Sequence, residues 1–254
     1  MTRIDLVLKS GFMKLRRSHI SLLHILLPVL AVLAFTWYAG VTKVDKTEIA
    51  VGYFQVLSLG FPTIIGVVCA MVAERDMNAG KGFDLLTSTN PKVMSIVGML
   101  ITTLFLGFLS VIIAVMGFGE SISAIYSENP FTMKFYFIVV CTMILTNTLL
   151  YAFHLFVSLR FGKGASTGLG VFGSLVSALM ITGLGDGIWM FIPCSWSIRF
   201  TTMLAYAEVS PGSLTNQLVA EARLATVSCT AMTVIVIVGL LIWFNRWEGK
   251  TSYE

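Results

Sequence analysis

Charge is scarce in this chain. Asp, Glu, Lys and Arg make up 12% of its 254 residues, where a soluble domain of ordinary composition carries about 25%. Hydrophobic residues reach 56%, and the mean hydropathy is +0.87. A water-soluble fold with this balance would expose large apolar areas, which soluble monomers avoid. A soluble enzyme, a nucleic-acid-binding domain and a disordered regulator are therefore excluded. Cysteine is also scarce. Cys69, Cys141, Cys194 and Cys229 lie far apart, three of them within apolar stretches, so the pattern suggests neither a disulfide framework nor a metal site. A phosphate-binding loop is missing: Gly162-Lys163-Gly164 resembles part of one, but Val157 stands where the first glycine is required. Any ATP must be hydrolysed by another chain. His19, His24 and His154 are scattered, and no Asp or Glu falls within the cores of the apolar runs. An intramembrane enzyme would need paired ionisable groups near the membrane surface, and an ion-coupled carrier would place them at mid-membrane. Neither pattern is present, so the energy source is expected outside the chain.

Long apolar runs are abundant. Six of them, near 22–41, 51–73, 93–117, 133–158, 165–184 and 224–245, approach the roughly 20 residues that cross a bilayer as a helix. The runs are continuous rather than alternating, which favours helices over a β-barrel. The first run has Trp37 and Tyr38 where a signal peptide would need small residues, so it reads as a retained helix. The expected fold is an all-α polytopic membrane protein with six transmembrane helices, forming a single permease-like domain over 1–254. The net charge of +4 reads as an orientation signal. With the N-terminus inside, the inner segments hold Arg3, Lys9, Lys14, Arg16, Arg17, Arg75, Lys81, Lys92, Arg160, Lys163, Arg246 and Lys250. The outer ones hold only Lys43, Lys46, Lys134, Arg199 and Arg223. This positive-inside bias places both termini in the cytoplasm of a multi-pass cell-membrane protein.

Residues 188–207 are apolar enough to resemble a seventh span, but Arg199 is costly in lipid and Pro193 interrupts a helix. The 185–223 segment is expected to form an external hairpin dipping into the outer leaflet, with Trp189 and Trp196 at headgroup level; an ordered external loop is the alternative. At the N-terminus, Ile4, Leu8, Phe12, Leu15, His19 and Leu22 recur at helical spacing opposite Arg3, Lys9, Arg16 and Arg17. Residues 1–21 are thus expected to form an interfacial amphipathic helix with Arg16 and Arg17 as membrane anchors; the alternative is a basic topology anchor. Thr142, Thr146 and Asn147 are expected to bond between helices. Pro28 and Pro62 are expected to kink their spans. Ser166, Gly170, Ser174, Ala178 and Thr182 recur every four residues and make one small-residue face. Such faces bring helix backbones together. The expected partner is a second permease chain, with packing inside the same chain as the alternative.

The inner loop 74–92 carries the most information. Glu74-Arg75-Asp76 forms a charged turn, Gly80 and Gly82 interrupt the helix, and Phe83, Leu85 and Leu86 place apolar side chains on a cytoplasmic loop. Asn90-Pro91 reads as the start of the next helix. An apolar cluster here either folds back on the bilayer or fits a partner's groove.

Taken together, the interfacial start, six spans and this Gly- and Leu-Leu-bearing loop ending in proline resemble the permeases of type-2 ABC exporters. More narrowly, Lys14-Leu15-Arg16-Arg17, Pro28 and Ala79-Gly80…Phe83…Leu85-Leu86 resemble the lantibiotic-immunity permeases. The Lys81-Gly82 pair departs from the broader exporter pattern, where Thr more often follows the glycine. The resemblance implies that Glu74, Arg75, Asp76, Gly80, Phe83, Leu85 and Leu86 belong to a coupling helix seated in an ABC ATPase. It further implies two ATPase copies carrying ATP and Mg, a second homologous permease, and a lantibiotic peptide expelled from the producer's membrane. A lipid, drug or polysaccharide is the alternative substrate. The chain itself would be no enzyme and would hold no cofactor.

Overall fold

The computed structural model describes residues 11, 13, 19–78, 92–126, 129–210, 212 and 214–248. The long helices are α1 (His19–Val41), α2 (Lys46–Asn78), α3 (Lys92–Ile125), α4 (Met133–Phe161), α5 (Lys163–Met180), α6 (Trp196–Val209) and α7 (Asn216–Arg246). Three 3-10 turns, Gly183–Gly185, Trp189–Phe191 and Pro193–Ser195, separate α5 from α6. No strand occurs among the described residues. Helices α1, α2, α3, α4 and α7 are each long and apolar enough to cross a membrane. The chain is a polytopic helical membrane protein.

Local chemistry sets several helix starts. Asp45 accepts the Thr47 backbone N–H at 2.8 Å, satisfying one of the donors left free at the start of α2. Hydrogen bonds from Thr47 hold the Asp45 carboxyl below its ordinary pKa. Thr132 does the same for α4, accepting from Phe135 N at 3.2 Å, and Thr215 for α7, accepting from Leu218 N at 3.3 Å. The Thr215 cap starts α7 well upstream of the apolar run near 224. Between α4 and α5 a single residue turns the chain. Gly162 has φ 89° and ψ −179°, a conformation essentially restricted to glycine. That requirement explains the first glycine of the Gly-Lys-Gly sequence without any phosphate chemistry.

Helix α4 lies at the centre. Its most apolar stretch is 61% buried, against 17% for α1 and 11% for α7. It touches α2, α3, α5, α6 and α7. Successive helices α2, α3 and α4 alternate in direction. Gly107 of α3 lies against Tyr151 of α4, and Gly119 against Tyr136, so these two run antiparallel. Phe54 of α2 meets Tyr136, while Cys69 donates to the Tyr151 carbonyl, so α2 and α4 run parallel. At one end of the bundle an aromatic cluster joins Tyr53, Phe54, Phe118, Phe131, Phe135 and Tyr136. Trp243, Phe244 and Trp247 cluster with Phe156 at the opposite end, where Lys92 Nζ donates to the Trp247 carbonyl at 3.1 Å.

The closest helix pair is α2 with α5, and it corrects one expectation. The small-residue face of α5 is occupied by α2 of the same chain, not held out for a second permease. A Cβ on Gly170 would lie 2.6 Å from the Pro62 carbonyl oxygen, and one on Gly66 would lie 2.7 Å from the Ser166 carbonyl oxygen. Ser166 is fully buried and donates to Gly66 O at 2.9 Å. Thr63 shares a 2.7 Å hydroxyl bond with Ser174, and its backbone N–H also reaches Ser174 Oγ at 3.2 Å. The physical reason is reciprocal smallness: Gly66 and the backbone beside Pro62 leave room for a close approach, which a small face exploits wherever it finds it. Ala178 is half-buried farther along the same helix.

The segment before α7 also differs from a simple hairpin. Contacts with α2 advance steadily in one direction: Lys163 to Glu74, Ser166 to Gly66, Gly170 to Pro62, Ser197 to Ser58, Thr202 to Gln55 and Tyr206 to Glu48. Thus α6 continues in the direction of α5. Together the 18 and 14 residues of α5 and α6 span about 48 Å at 1.5 Å per residue, close to the about 50 Å of α2. The intervening turns leave the axis and return, because Ser177 Oγ donates to the Cys194 carbonyl. Arg199 closes the break: Nε donates to Met180 O at 2.6 Å, and Nη2 donates to Thr182 O at 3.0 Å and to Asp186 Oδ1 at 2.8 Å. The cation thereby satisfies carbonyls at the C-terminal end of α5, where positive charge is favoured.

Thr142, Thr146 and Asn147 do not form the expected interhelical bonds. They donate to Ile138 O, Thr142 O and Met143 O within α4. A carbonyl four residues back is always within reach of a short polar side chain on a helix.

Candidate functional site

A cleft of about 380 Å³ lies between α1, α2 and α3, within the size range of small-molecule sites. From α1 it takes Leu23, His24, Leu27, Pro28 and Ala31, and from α2 residues between Val56 and Val68. Gly107, Ser110, Val111 and Ala114 come from α3, and Tyr151 reaches in from α4. The cleft exists because α1 packs mainly on α3 and only lightly on α2. Its wall is apolar except at a few points. His24 Nδ1 donates to Ile20 O at 2.8 Å, which leaves Nε2 as the acceptor of the neutral ring. Tyr151, only 2% exposed, lays its phenol against Gly107, where any Cβ would collide with the hydroxyl. Among the described residues Tyr151 Oη has no hydrogen-bond partner. Sequence reading missed this cleft because its polar groups come from different helices and share no spacing.

Next to it stands a buried polar junction. Ser166 gives its proton to Gly66 O, so its oxygen accepts from His154 Nδ1 at 3.0 Å. His154, 2% exposed, is thus a satisfied histidine joining α2, α4 and α5.

The proposed coupling residues divide. Glu74, Arg75 and Asp76 form the last turns of α2. Glu74 pairs with Lys163 at 2.8 Å across an exposed gap, tying α2 to the start of α5. Arg75 Nε bonds Asp76 Oδ1 at 3.1 Å, and Asp76 is buried. Gly80, Phe83, Leu85 and Leu86, with Asn90-Pro91, lie outside the described residues, as do Arg16, Arg17 and most of the N-terminal stripe.

Trp189 and Trp196, expected as anchors at headgroup level, turn inward instead, with 1% and 0% exposure. Trp189 Nε1 donates to Glu221 Oε2 at 2.9 Å and Trp196 Nε1 to Met190 O at 3.0 Å. Both indoles find their N–H partners inside the protein, so they need no interfacial water. Between α5 and α6 the exposed large apolar side chains are Leu184, Ile188 and Phe191. Comparison with protein-family models gives no match, and neither does comparison with curated proteins.

Proposed function

We propose that the chain is the membrane-spanning permease subunit of an ABC exporter that expels a lantibiotic peptide from the producer's membrane, with ATP and Mg bound by two copies of a separate ATPase. The observation that carries this reading is the order and direction of the elements. Two long helices, α2 and α3, flank the loop 79–91, and an interrupted pass, α5 with α6, precedes the last helix. That order accords with the resemblance of the sequence to type-2 exporters.

On this reading the protein crosses the bilayer six times, the fifth crossing being shared by α5 and α6. Helix α5 alone is about 27 Å long, short of the about 30 Å hydrocarbon layer. Backbone that is not helical is tolerated at membrane depth where protein buries it, and Trp189, Met190 and Ser195, in the stretch joining the two helices, are buried. Arg75, Lys92, Arg160, Lys163 and Arg246 stand at helix ends that this topology places inside, together with both termini.

ATP-driven closure of the ATPases would move the 74–92 segment. The Glu74–Lys163 contact would pass that movement to α5. The exposed apolar faces of α1 and α7 would meet lipid and the second permease. Leu85→Asp with Leu86→Asp should leave the protein in the membrane but abolish ATPase co-purification and lantibiotic tolerance. Full ATPase recovery with full tolerance would sink the assignment. The apolar cleft favours one second reading, a type-2 exporter for a lipid or lipophilic drug. Retained ATPase coupling with no lantibiotic tolerance in the unmodified protein would select it.

A further inference from the structure

The cleft between α1, α2 and α3 has a property that lipid filling alone does not satisfy. Its wall suits hydrocarbon, yet Tyr151, a nearly fully buried residue that lines the cleft, leaves its hydroxyl accessible there, with no hydrogen-bond partner among the described residues. Whatever fills the cleft buries this hydroxyl, and buried polar groups are ordinarily paired. Gly107 is the residue that admits this hydroxyl, since any larger side chain would displace it. His24 adds a ring nitrogen, Nε2, that its own bond to Ile20 O does not use. The neighbouring hydroxyl of Thr63 is already spent on Ser174 and Gly170. An alkyl chain would fill the space but leave Tyr151 unsatisfied. A charged head would face an apolar wall that includes no Asp, Glu, Lys or Arg.

We propose that this cleft binds a neutral lipophile carrying a hydrogen-bond acceptor, an ester or ketone oxygen, which receives the Tyr151 hydroxyl proton while the apolar body lies along α1 and α2. The site is independent of the transport assignment, because it rests on the cleft and its unpaired hydroxyl alone.

The test uses the full chain in nanodiscs of ether-linked lipid, which supplies no ester carbonyl. The probe is a diazirine-bearing palmitic acid methyl ester. Photolabelling should fall on peptides covering 23–31 and 56–68. Methyl palmitate should compete about five to ten times better than hexadecane, the value of one neutral hydrogen bond. Tyr151→Phe keeps the ring and should erase that preference while labelling persists. Ala31→Trp should fill the cleft and suppress labelling, whereas Leu169→Trp, on the exposed side of α5, should not. Circular dichroism and elution volume confirm that each variant is folded. Labelling spread along the outer helix faces, an ester preference unchanged in Tyr151→Phe, or labelling indifferent to Ala31→Trp would each overturn the proposal.

Discussion

Gly170 faces the backbone of α2 across a gap with no room for a methyl group, since the added carbon would sit 2.6 Å from Pro62 O and 3.1 Å from Thr63 Cα. Neither neighbour is a flexible side chain that could move aside. Gly170→Ala should therefore destabilise by about 1–3 kcal/mol, the usual range for overpacking, read as a lowered unfolding midpoint in detergent. Gly168→Ala, where a Cβ meets nothing within 4 Å, is the control and should be neutral or better on a helix. Asp45 offers a pH test. Its folded-state pKa is lowered, chiefly by Thr47. Its contribution is present above the ordinary carboxylate value of about 3.9 and is lost as pH falls through the lowered folded value. Asp45→Ala should cost about 1 kcal/mol at neutral pH. Asp45→Asn keeps the cap and removes the titration, so its unfolding midpoint should fall less steeply than the parent's in this acid range. Equal slopes would remove Asp45 as a source of acid sensitivity.

At the scale of elements, the joint between α5 and α6 depends on one cation. Arg199 supplies three hydrogen bonds to Met180, Thr182 and Asp186. Arg199→Leu should lose about 2 kcal/mol or more, because hydrogen bonds to charged groups are the strong class. Arg199→Lys should recover only part, having no planar fork to reach several oxygens at once. Limited proteolysis between 181 and 195 would report the loosened joint, and unchanged cleavage in Arg199→Leu would argue against its role. The Glu74–Lys163 pair is the contrast. Its side chains are 44% and 69% exposed, so Lys163→Gln should change stability by under about 1 kcal/mol. This joint also marks where sequence reading failed. Arg199 and Pro193 correctly argued against an unbroken helix over 188–207, but their local cost carried no information on direction. Only the contacts of Ser197, Thr202 and Tyr206 with α2 reveal that α6 continues α5. The small face of α5 was legible as a close-packing surface, whereas its partner was not. Gly66 looks unremarkable within an apolar run and Pro62 reads only as a kink, so nothing local to α5 distinguished a neighbour in the same chain from one in another.

For the whole molecule, apolar runs recovered the long helices because burial in lipid requires continuous hydrophobicity over a bilayer's thickness. They under-measured α2 and α7, which extend into polar termini where caps such as Asp45 and Thr215, not hydropathy, decide the ends. The cleft stayed hidden because Tyr151, Gly107 and His24 meet only after α1, α3 and α4 have packed. The proposed six-span topology makes a direct prediction. In a background without native cysteines, Lys43→Cys and Ser210→Cys should react with an impermeant thiol reagent from outside. Ser252→Cys should react only after permeabilisation. Labelling of Ser252→Cys in intact cells would require an odd number of crossings and overturn the six-span reading.

The close fit between α2 and α5 also bears on biosynthesis. Helix α5 opens with Lys163, carries three serines and four glycines in 18 residues, and falls outside the helices apolar enough to cross by themselves. During synthesis the insertion machinery weighs each emerging segment largely by its own hydrophobicity. Such a segment should be a poor substrate when presented alone. What α5 has instead is a groove prepared earlier in the chain, where Gly66 and Pro62 await it. Its entry should therefore depend on an already inserted α2. In glycosylation mapping of nascent chains in microsomes, a reporter following α5 should be translocated efficiently when α1–α4 precede it, and poorly when α5 is fused to an unrelated spanning segment. Gly66→Leu in the longer chain should reproduce the poor insertion. On this view the order in which the ribosome delivers the helices is itself part of how the sequence specifies the membrane fold.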